Sequence, residues 1–217
     1  MEQPITAVLF DLDGVLVSTD EFHYQAWKAV ADALHIPFDR SRNDRLRGVS
    51  RMESLEILLS GGSRVFTRAE KLLLAEEKNK LYRRALAEMT PEYLAPQVRR
   101  LLEACRARGL KLAVASSSRN APEILRRVGL DGWFDAVVDG SMLQNAKPDP
   151  EVFLKAAALL GVPPENCLVV EDAEPGVEAG ARAGMRTAAV GSARRSPLAT
   201  VRLADITDLL PFLQRNN

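Results

Sequence analysis

The 217-residue sequence predicts an α/β fold, a doubly wound parallel sheet with an all-α domain inserted after its first strand. Three observations carry this. Several short apolar runs end in polar or charged residues without clean alternation, the mark of strands buried on both faces. Helical segments separate the later runs, as a parallel sheet requires. Residues 18 to 90 show helical periodicity and no strand run.

The expected strands are Ala7 to Phe10 before Asp11, Leu110 to Ala115 before Ser116, Ala136 to Val138 before Asp139, and Leu168 to Val170 before Glu171. A weaker fifth is Thr187 to Val190 before Gly191. Between them, Gln97 to Arg108 reads as a helix stopped by Gly109, and Asn120 is placed to cap another that ends near Gly129. Pro150 suits the first turn of a helix ending at Gly161, and Pro175 that of one ending at Gly184. Proline at the start and glycine past the end is the usual asymmetry of helix termini. In the insert, Ser18-x-x-Glu21, Ser50-x-x-Glu53 and Thr67-x-x-Glu70 are capping-box patterns, and Gly61-Gly62 marks a turn. The expected domains are 1–17 with 91–217 as the α/β core and 18–90 as a helical cap. Residues Gln214 to Asn217 read as a frayed end.

Composition narrows the function class. Hydrophobic residues are 47% and charged residues 27%, a globular balance that excludes disordered, collagenous and coiled-coil classes. Lys+Arg 29 against Asp+Glu 29 leaves no net charge, so neither nucleic acid nor an anionic membrane is an expected partner. Cys105 and Cys167 form no disulfide framework and suit a reducing compartment. The start, Met1-Glu2-Gln3-Pro4, shows no signal-peptide pattern, and no apolar run reaches the roughly 18 residues of a membrane span. The expectation is a cytoplasmic protein. No sustained heptad is present, and a monomer is expected.

The informative residues stand at strand ends. In Phe10-Asp11-Leu12-Asp13-Gly14 the two acids are two apart, so in extended chain both side chains face one way. Open α/β sheets bind ligands at that edge. Two carboxylates so close need a cation between them, or one must hold a proton. Either suits phosphoryl transfer, with one carboxylate as nucleophile and the other as acid and base. Alone, the pair also fits a turn with solvated acids. Three more strand ends shift that balance. Ser116, Ser117, Ser118, Arg119 and Asn120 place hydroxyls and helix N–H groups where an anion binds. Lys147-Pro148 follows the third strand. Glu171-Asp172 ends the fourth and suggests a hard-cation site for magnesium.

Asp11-x-Asp13, Ser116, Lys147 and Glu171-Asp172, in that order on a doubly wound pattern, resemble the four motifs of the haloacid dehalogenase superfamily, and the helical insert resembles its cap. The resemblance implies a Mg2+-dependent phosphotransferase or phosphatase. The second acid argues against dehalogenation. Within the insert, Glu21 to Trp27, Arg47-Gly48-Val49-Ser50-Arg51-x-x-Ser54-Leu55 and Lys78-Asn79 are similar to the β-phosphoglucomutase family. That family turns β-glucose 1-phosphate into glucose 6-phosphate through β-glucose 1,6-bisphosphate, so a small sugar phosphate is the implied partner.

The resemblance implies a role for each site residue. Asp11 is the nucleophile, and Asp13 is the acid and base. Asp11, the Asp13 carbonyl, Asp172 and, through water, Glu171 hold the metal. Ser116 and Lys147 hold the reacting phosphate, and Arg51, Ser118, Arg119 and Asn120 the other one. His23, Arg51 and Lys78 form the cap side, and Thr19 at the hinge helps to position Asp13. Trp27 is expected to be cap core that also shapes the site. Arg47, Gly48, Val49, Ser50 and Ser117 complete the expected substrate-binding set. Four positions depart from the family pattern: Ser18 stands where an aspartate is common, Arg47 and Arg119 where lysine is usual, and Gln97 where glycine is frequent. None touches the acids, and they bear on which sugar is handled. A sugar-phosphate phosphatase on the same motifs is the alternative. A non-catalytic binding protein is a third reading, opposed by the intact acids.

Overall fold

A computed structural model describes residues 3–215. The first strand, β1 (Ala7–Phe10), lies inside the sheet and is followed by the helical insert: α1 (Asp20–Ala33), α2 (Arg40–Asp44), α3 (Arg51–Leu59) and α4 (Arg68–Leu86). The chain then alternates as α5 (Pro96–Ala107), β2 (Lys111–Ala115), α6 (Ala121–Arg127), β3 (Ala136–Val138), α7 (Glu151–Leu160), β4 (Cys167–Glu171), α8 (Glu174–Arg182) and β5 (Arg186–Ala189). A short strand β6 (Val201–Arg202) and a final helix α9 (Leu209–Arg215) end the described chain.

The six strands run in the order β3-β2-β1-β4-β5-β6, and every pairing is parallel. From β1 the chain builds outward to β3 on one side, then returns to β4 and builds outward on the other. The reversal lies between β1 and β4, where such sheets open a crevice at their carboxyl ends. Phe10 pairs with both Val170 and Val114, which sets Asp11 level with Glu171 and Ala115.

Both faces of the central strands are buried. Ala7, Leu9, Ala113, Ala115 and Val169 pack with Phe153, Ala156 and Leu160 of α7 and Ala179 of α8. The alternate residues Val8, Phe10, Leu112, Val114, Leu168 and Val170 are fully buried on the opposite face, where α5 packs on β2. This double burial is why these strands read as unbroken apolar runs.

The chain separates into two compact units, with boundaries between Ser18 and Thr19 and between Met89 and Thr90. The sequence placed them at 17/18 and 90/91. Unit 19–89 has its own core, in which Trp27, Ala31, Ile36, Phe38, Leu55, Leu58 and Phe66 pack together.

Several local expectations shift. The Thr67/Glu70 capping box forms in full at α4, and Ser50 Oγ accepts from Glu53 N at α3. Ser18 caps nothing: Thr19 is the N-cap residue of α1, without a side-chain cap bond. Asn120 precedes α6 but its side chain makes no cap bond either. There the Ser118 hydroxyl accepts from Asn120 N at 3.2 Å, and that hydroxyl-closed turn takes up the amide. Pro150 is the N-cap residue of α7, one place before the first turn, whereas Pro175 lies inside the first turn of α8. Strand β4 gains Cys167 and Glu171, and β5 slides back one residue. The two-residue β6 is too short for any pattern to reveal. Gln214 belongs to α9, and Asn216 and Asn217 lie outside the described residues.

Thr67→Ala should lower stability by about 1 kcal/mol in chemical denaturation, the usual worth of an N-cap. Ser18→Ala, at an exposed position, should stay within about 0.5 kcal/mol.

Candidate active site

The end of β1 and the end of β4 meet in one buried charge cluster. One carboxylate oxygen each from Asp11, Glu171 and Asp172 lie within 4.8 Å of one another. Lys147 reaches into the same place. Its Nζ donates to Asp11 Oδ1 at 2.6 Å, to Glu171 Oε1 at 2.5 Å and to the Ala115 carbonyl at 3.3 Å. An ammonium has three donors, so all are taken. Lys147 is 3% exposed and Glu171 1%.

Charge and burial set the protonation here. Burial pushes the Glu171 carboxyl up from 4.5 to about 7; Lys147 opposes this and the Asp11 charge adds to it. Burial acts to lower the Lys147 pKa, but the Asp11 and Glu171 carboxylates outweigh it and hold that pKa above 10.5. Glu171 Oε2 accepts from Asp172 N at 3.0 Å and Ala173 N at 3.2 Å. Both Glu171 oxygens are thus occupied by protein donors, which suits a place behind the direct ligands. Three acids against one lysine leave excess negative charge at a dry site. Hard carboxylate oxygens at this spacing fit a divalent cation such as Mg2+ or Ca2+. Among the described residues the gathered carboxylates are those of Asp11, Glu171 and Asp172, and the expectation for Asp13 concerned its backbone carbonyl.

Glycines give the carboxylates room. A Cβ at Gly14 would lie 2.2 Å from Asp172 Oδ2, and one at Gly176 would lie 1.9 Å from Glu171 Oε1. Gly14 also has φ +86°, in the tight turn where its N donates to the Val17 carbonyl at 2.8 Å.

The loop after β2 is a second feature of this edge. Ser116 Oγ accepts from Ser118 N at 3.0 Å, and Ser118 Oγ accepts from Asn120 N at 3.2 Å. A hydroxyl that accepts a backbone N–H keeps its own hydrogen to donate, as an anion needs. A Cβ at Gly140 would stand 2.1 Å from the Ser117 carbonyl, so the loop after β3 braces this one closely. Ser117 is part-buried and Arg119 exposed.

Unit 19–89 carries a cationic cluster of its own. Lys78 of α4, 3% exposed, lies 2.9 Å from His23 Nδ1 of α1. Arg51 at the start of α3 donates to Asn79 Oδ1 at 2.8 Å. Trp27 is buried in the core of this unit with its ring under Lys78. Arg47 pairs with Asp20 at 2.5 Å, Ser50 caps α3, and Gly48 has φ +74° between them. Val49 is part-buried, and Thr19 is buried with its carbonyl accepting from His23 N at 3.0 Å.

A family model of haloacid dehalogenase-like hydrolases matches residues 5–184. The chain belongs to that family. Within the haloacid dehalogenase-like proteins it is 49% identical to β-phosphoglucomutase of Bacillus subtilis over 85% of this chain and 83% of that protein. It is 37% identical to a phosphorylated carbohydrates phosphatase of Thermotoga maritima, covering 82% of each. The crystal structure of β-phosphoglucomutase from Clostridium difficile matches with a TM-score of 0.92 at 35% identity, over 98% of this chain and 96% of that one.

The structure thus gathers Asp11, Lys147, Glu171 and Asp172 at one sheet edge, with Ser116 next along β2. It gathers His23, Trp27, Lys78 and, through Asn79, Arg51 within the helical unit. Two positions went unread in the sequence. Gly176 follows Pro175 in the first turn of α8, where a glycine costs stability and so signals a close approach. Tyr82 stands four residues after Lys78, hence on its face of α4.

Gly176→Ala should weaken divalent-cation binding at least tenfold by calorimetry, because the new methyl displaces Glu171. The raised Glu171 pKa means that the folded protein favours its neutral carboxyl. That contribution to stability is present below pH 4.5 and is lost as pH rises through about 7. Metal-stripped protein should therefore show a falling denaturation midpoint over that window, and Glu171→Gln should flatten the fall.

Proposed function

We propose that this chain is a phosphomutase converting β-D-glucose 1-phosphate to glucose 6-phosphate by way of an aspartyl-phosphate and β-glucose 1,6-bisphosphate. The observation that carries the reading is the buried Asp11–Lys147–Glu171–Asp172 cluster in a chain whose relatives include β-phosphoglucomutases. Asp11 is the nucleophile. Its Oδ1 is tied to Lys147, which orients the carboxylate and leaves Oδ2 to attack phosphorus. As the new P–O bond forms, the bond from phosphorus to the sugar oxygen breaks and its electrons stay on that oxygen. Asp13 supplies the proton and, for the return transfer, removes one from the other hydroxyl. It must therefore be protonated for part of the cycle.

Asp11, Asp172 and the Asp13 carbonyl would hold the metal, Mg2+ in this reading, with Glu171 behind them. When bound it supplies positive charge against the phosphate oxygens. Lys147 offsets the negative charge of Asp11 and opposes the upward push of burial on Glu171. To touch the phosphate itself it must exchange one of its three present bonds. Ser116 donates its hydroxyl to the reacting phosphate. Electrostatic preorganisation is the main catalytic contribution, since phosphoryl transfer leaves little covalent work.

A mutase must deliver the aspartyl-phosphate to a sugar and not to water, and it must hold a second phosphate. Arg51, Ser118, Arg119 and Asn120 hold that phosphate, and Arg51 has the bidentate fork for it. Arg47, Gly48, Val49 and Ser50 shape the approach to it, Ser117 lies between the two serines that bind, and Trp27 acts through Lys78. Thr19, His23 and Lys78 couple the bound sugar phosphate to closure of the cap and exclusion of water. The protein is a cytoplasmic monomer in this reading. Among the described residues no helix is long and apolar enough to cross a membrane.

Purified protein with Mg2+, β-glucose 1-phosphate and a trace of β-glucose 1,6-bisphosphate should yield glucose 6-phosphate with little inorganic phosphate. Inorganic phosphate without glucose 6-phosphate would establish the phosphatase alternative instead. Arg51→Ala should cut mutase turnover roughly 10- to 100-fold, the cost of lost charge-assisted hydrogen bonds. Hydrolysis of a small phosphate ester by that variant should change little, and equal loss in both assays contradicts a second phosphate cradle.

A further inference from the structure

His23 and Trp27 stand four residues apart on α1, and Lys78 and Tyr82 four apart on α4. Each pair shares one helix face, and the two helices pack together. The Lys78 ammonium lies 4.4 Å from the Tyr82 ring centre and 5.0 Å from that of Trp27. The Tyr82 ring also sits 4.2 Å from the imidazole of His23, tilted by 40°. Tyr82 is fully buried. No role for the ring of Tyr82 follows from the chemistry above.

A cation between two aromatic faces is stabilised in its charged form by the ring quadrupoles. A charged ammonium has no lone pair and can only donate. At 2.9 Å from His23 Nδ1 it needs a lone pair on that nitrogen. We infer that Lys78, held as a cation between Trp27 and Tyr82, fixes His23 as the neutral Nε2–H tautomer, so that His23 serves as a hydrogen-bond donor and not as a proton carrier. Tyr82 is then a positioning residue, acting through Lys78 and His23. The use of that donor toward a sugar phosphate rests on the phosphomutase reading; the tautomer does not.

The charged groups that face the imidazole agree. Burial first, then the positive charges of Lys78 and Arg51, hold the His23 pKa well below 6.5. A second cation on the ring would add to the repulsion from Lys78 and Arg51. A neutral donor can bond a hydroxyl or phosphate oxygen without trading protons with Asp13. It keeps the acid–base work on one residue.

The chain has only two histidines, His23 and His35, so long-range proton–nitrogen NMR of the labelled protein resolves both, and a His35→Gln variant assigns them. At neutral pH His23 should show an unprotonated Nδ1 and a protonated Nε2, with no second form. Lys78→Met should lose this exclusivity, and an Nδ1–H or doubly protonated form should appear. Lys78→Gln keeps an N–H donor and should retain the Nε2–H form. An Nδ1–H or doubly protonated His23 in the unaltered protein overturns the inference. So does an unchanged tautomer in a folded Lys78→Met variant. None of these readouts needs turnover, so a failed mutase assay leaves them standing, and an active mutase does not rescue them.

Discussion

One lysine binding two buried carboxylates is the constraint around which this molecule is arranged. Taking Asp11, Glu171 and Lys147 out of water costs several kcal/mol per ion, and only close pairing offsets it. Close pairing needs β1 and β4 adjacent and in register, which the Phe10–Val170 pairing provides. It needs Lys147 to reach across β2 to the Ala115 carbonyl. It also needs two chain segments without side chains, at Gly14 and Gly176, so that Asp172 and Glu171 fit. Removing Lys147 would leave two buried acids facing each other, a loss of about 3–5 kcal/mol for one broken buried pair. The same excess of negative charge is what makes the place fit a divalent cation. Stability and chemistry thus draw on the same atoms.

The helical unit solves a different problem. It buries its own core around Trp27, Phe38 and Leu55. On that core it carries cations with assigned partners: Lys78 with His23, Arg51 with Asn79, Arg47 with Asp20. Lys78 and Arg51 each hold a neutral partner, the His23 ring and the Asn79 side chain. Arg47 differs in having a carboxylate partner, Asp20.

Much of this was legible in the sequence for a physical reason. Strands buried on both faces cannot alternate, so Ala7–Phe10 and Ala136–Val138 stood out with their limits intact. The acids that follow Ala7–Phe10 and Leu168–Val170 broke those apolar runs at the ligand edge, which marked Asp11, Glu171 and Asp172. Caps were less legible. Ser18-x-x-Glu21 has the right letters, but α1 begins one residue later, whereas Thr67-x-x-Glu70 forms in full. Side-chain patterns report which caps are available, and the entry angle of the chain selects among them. Contacts through space were least legible. Nothing in the spacing says that Gly176 touches Glu171, that Gly140 braces Ser117, or that Lys78 lies against both Trp27 and Tyr82. The narrower reading as a phosphomutase came from resemblance in the insert, since the sheet-edge acids alone serve a phosphatase equally well.

The central claim is that Asp11, held by Lys147 at the carboxyl end of β1, takes the phosphoryl group. The direct measurement is to mix the protein with isotopically labelled β-glucose 1,6-bisphosphate, quench in acid within milliseconds, and map the labelled peptide by mass spectrometry. The account predicts one acyl-phosphate, on the peptide containing Asp11, absent from Asp11→Asn. Label on Ser116 or another hydroxyl, or turnover with no covalent phosphate at any time, would contradict it.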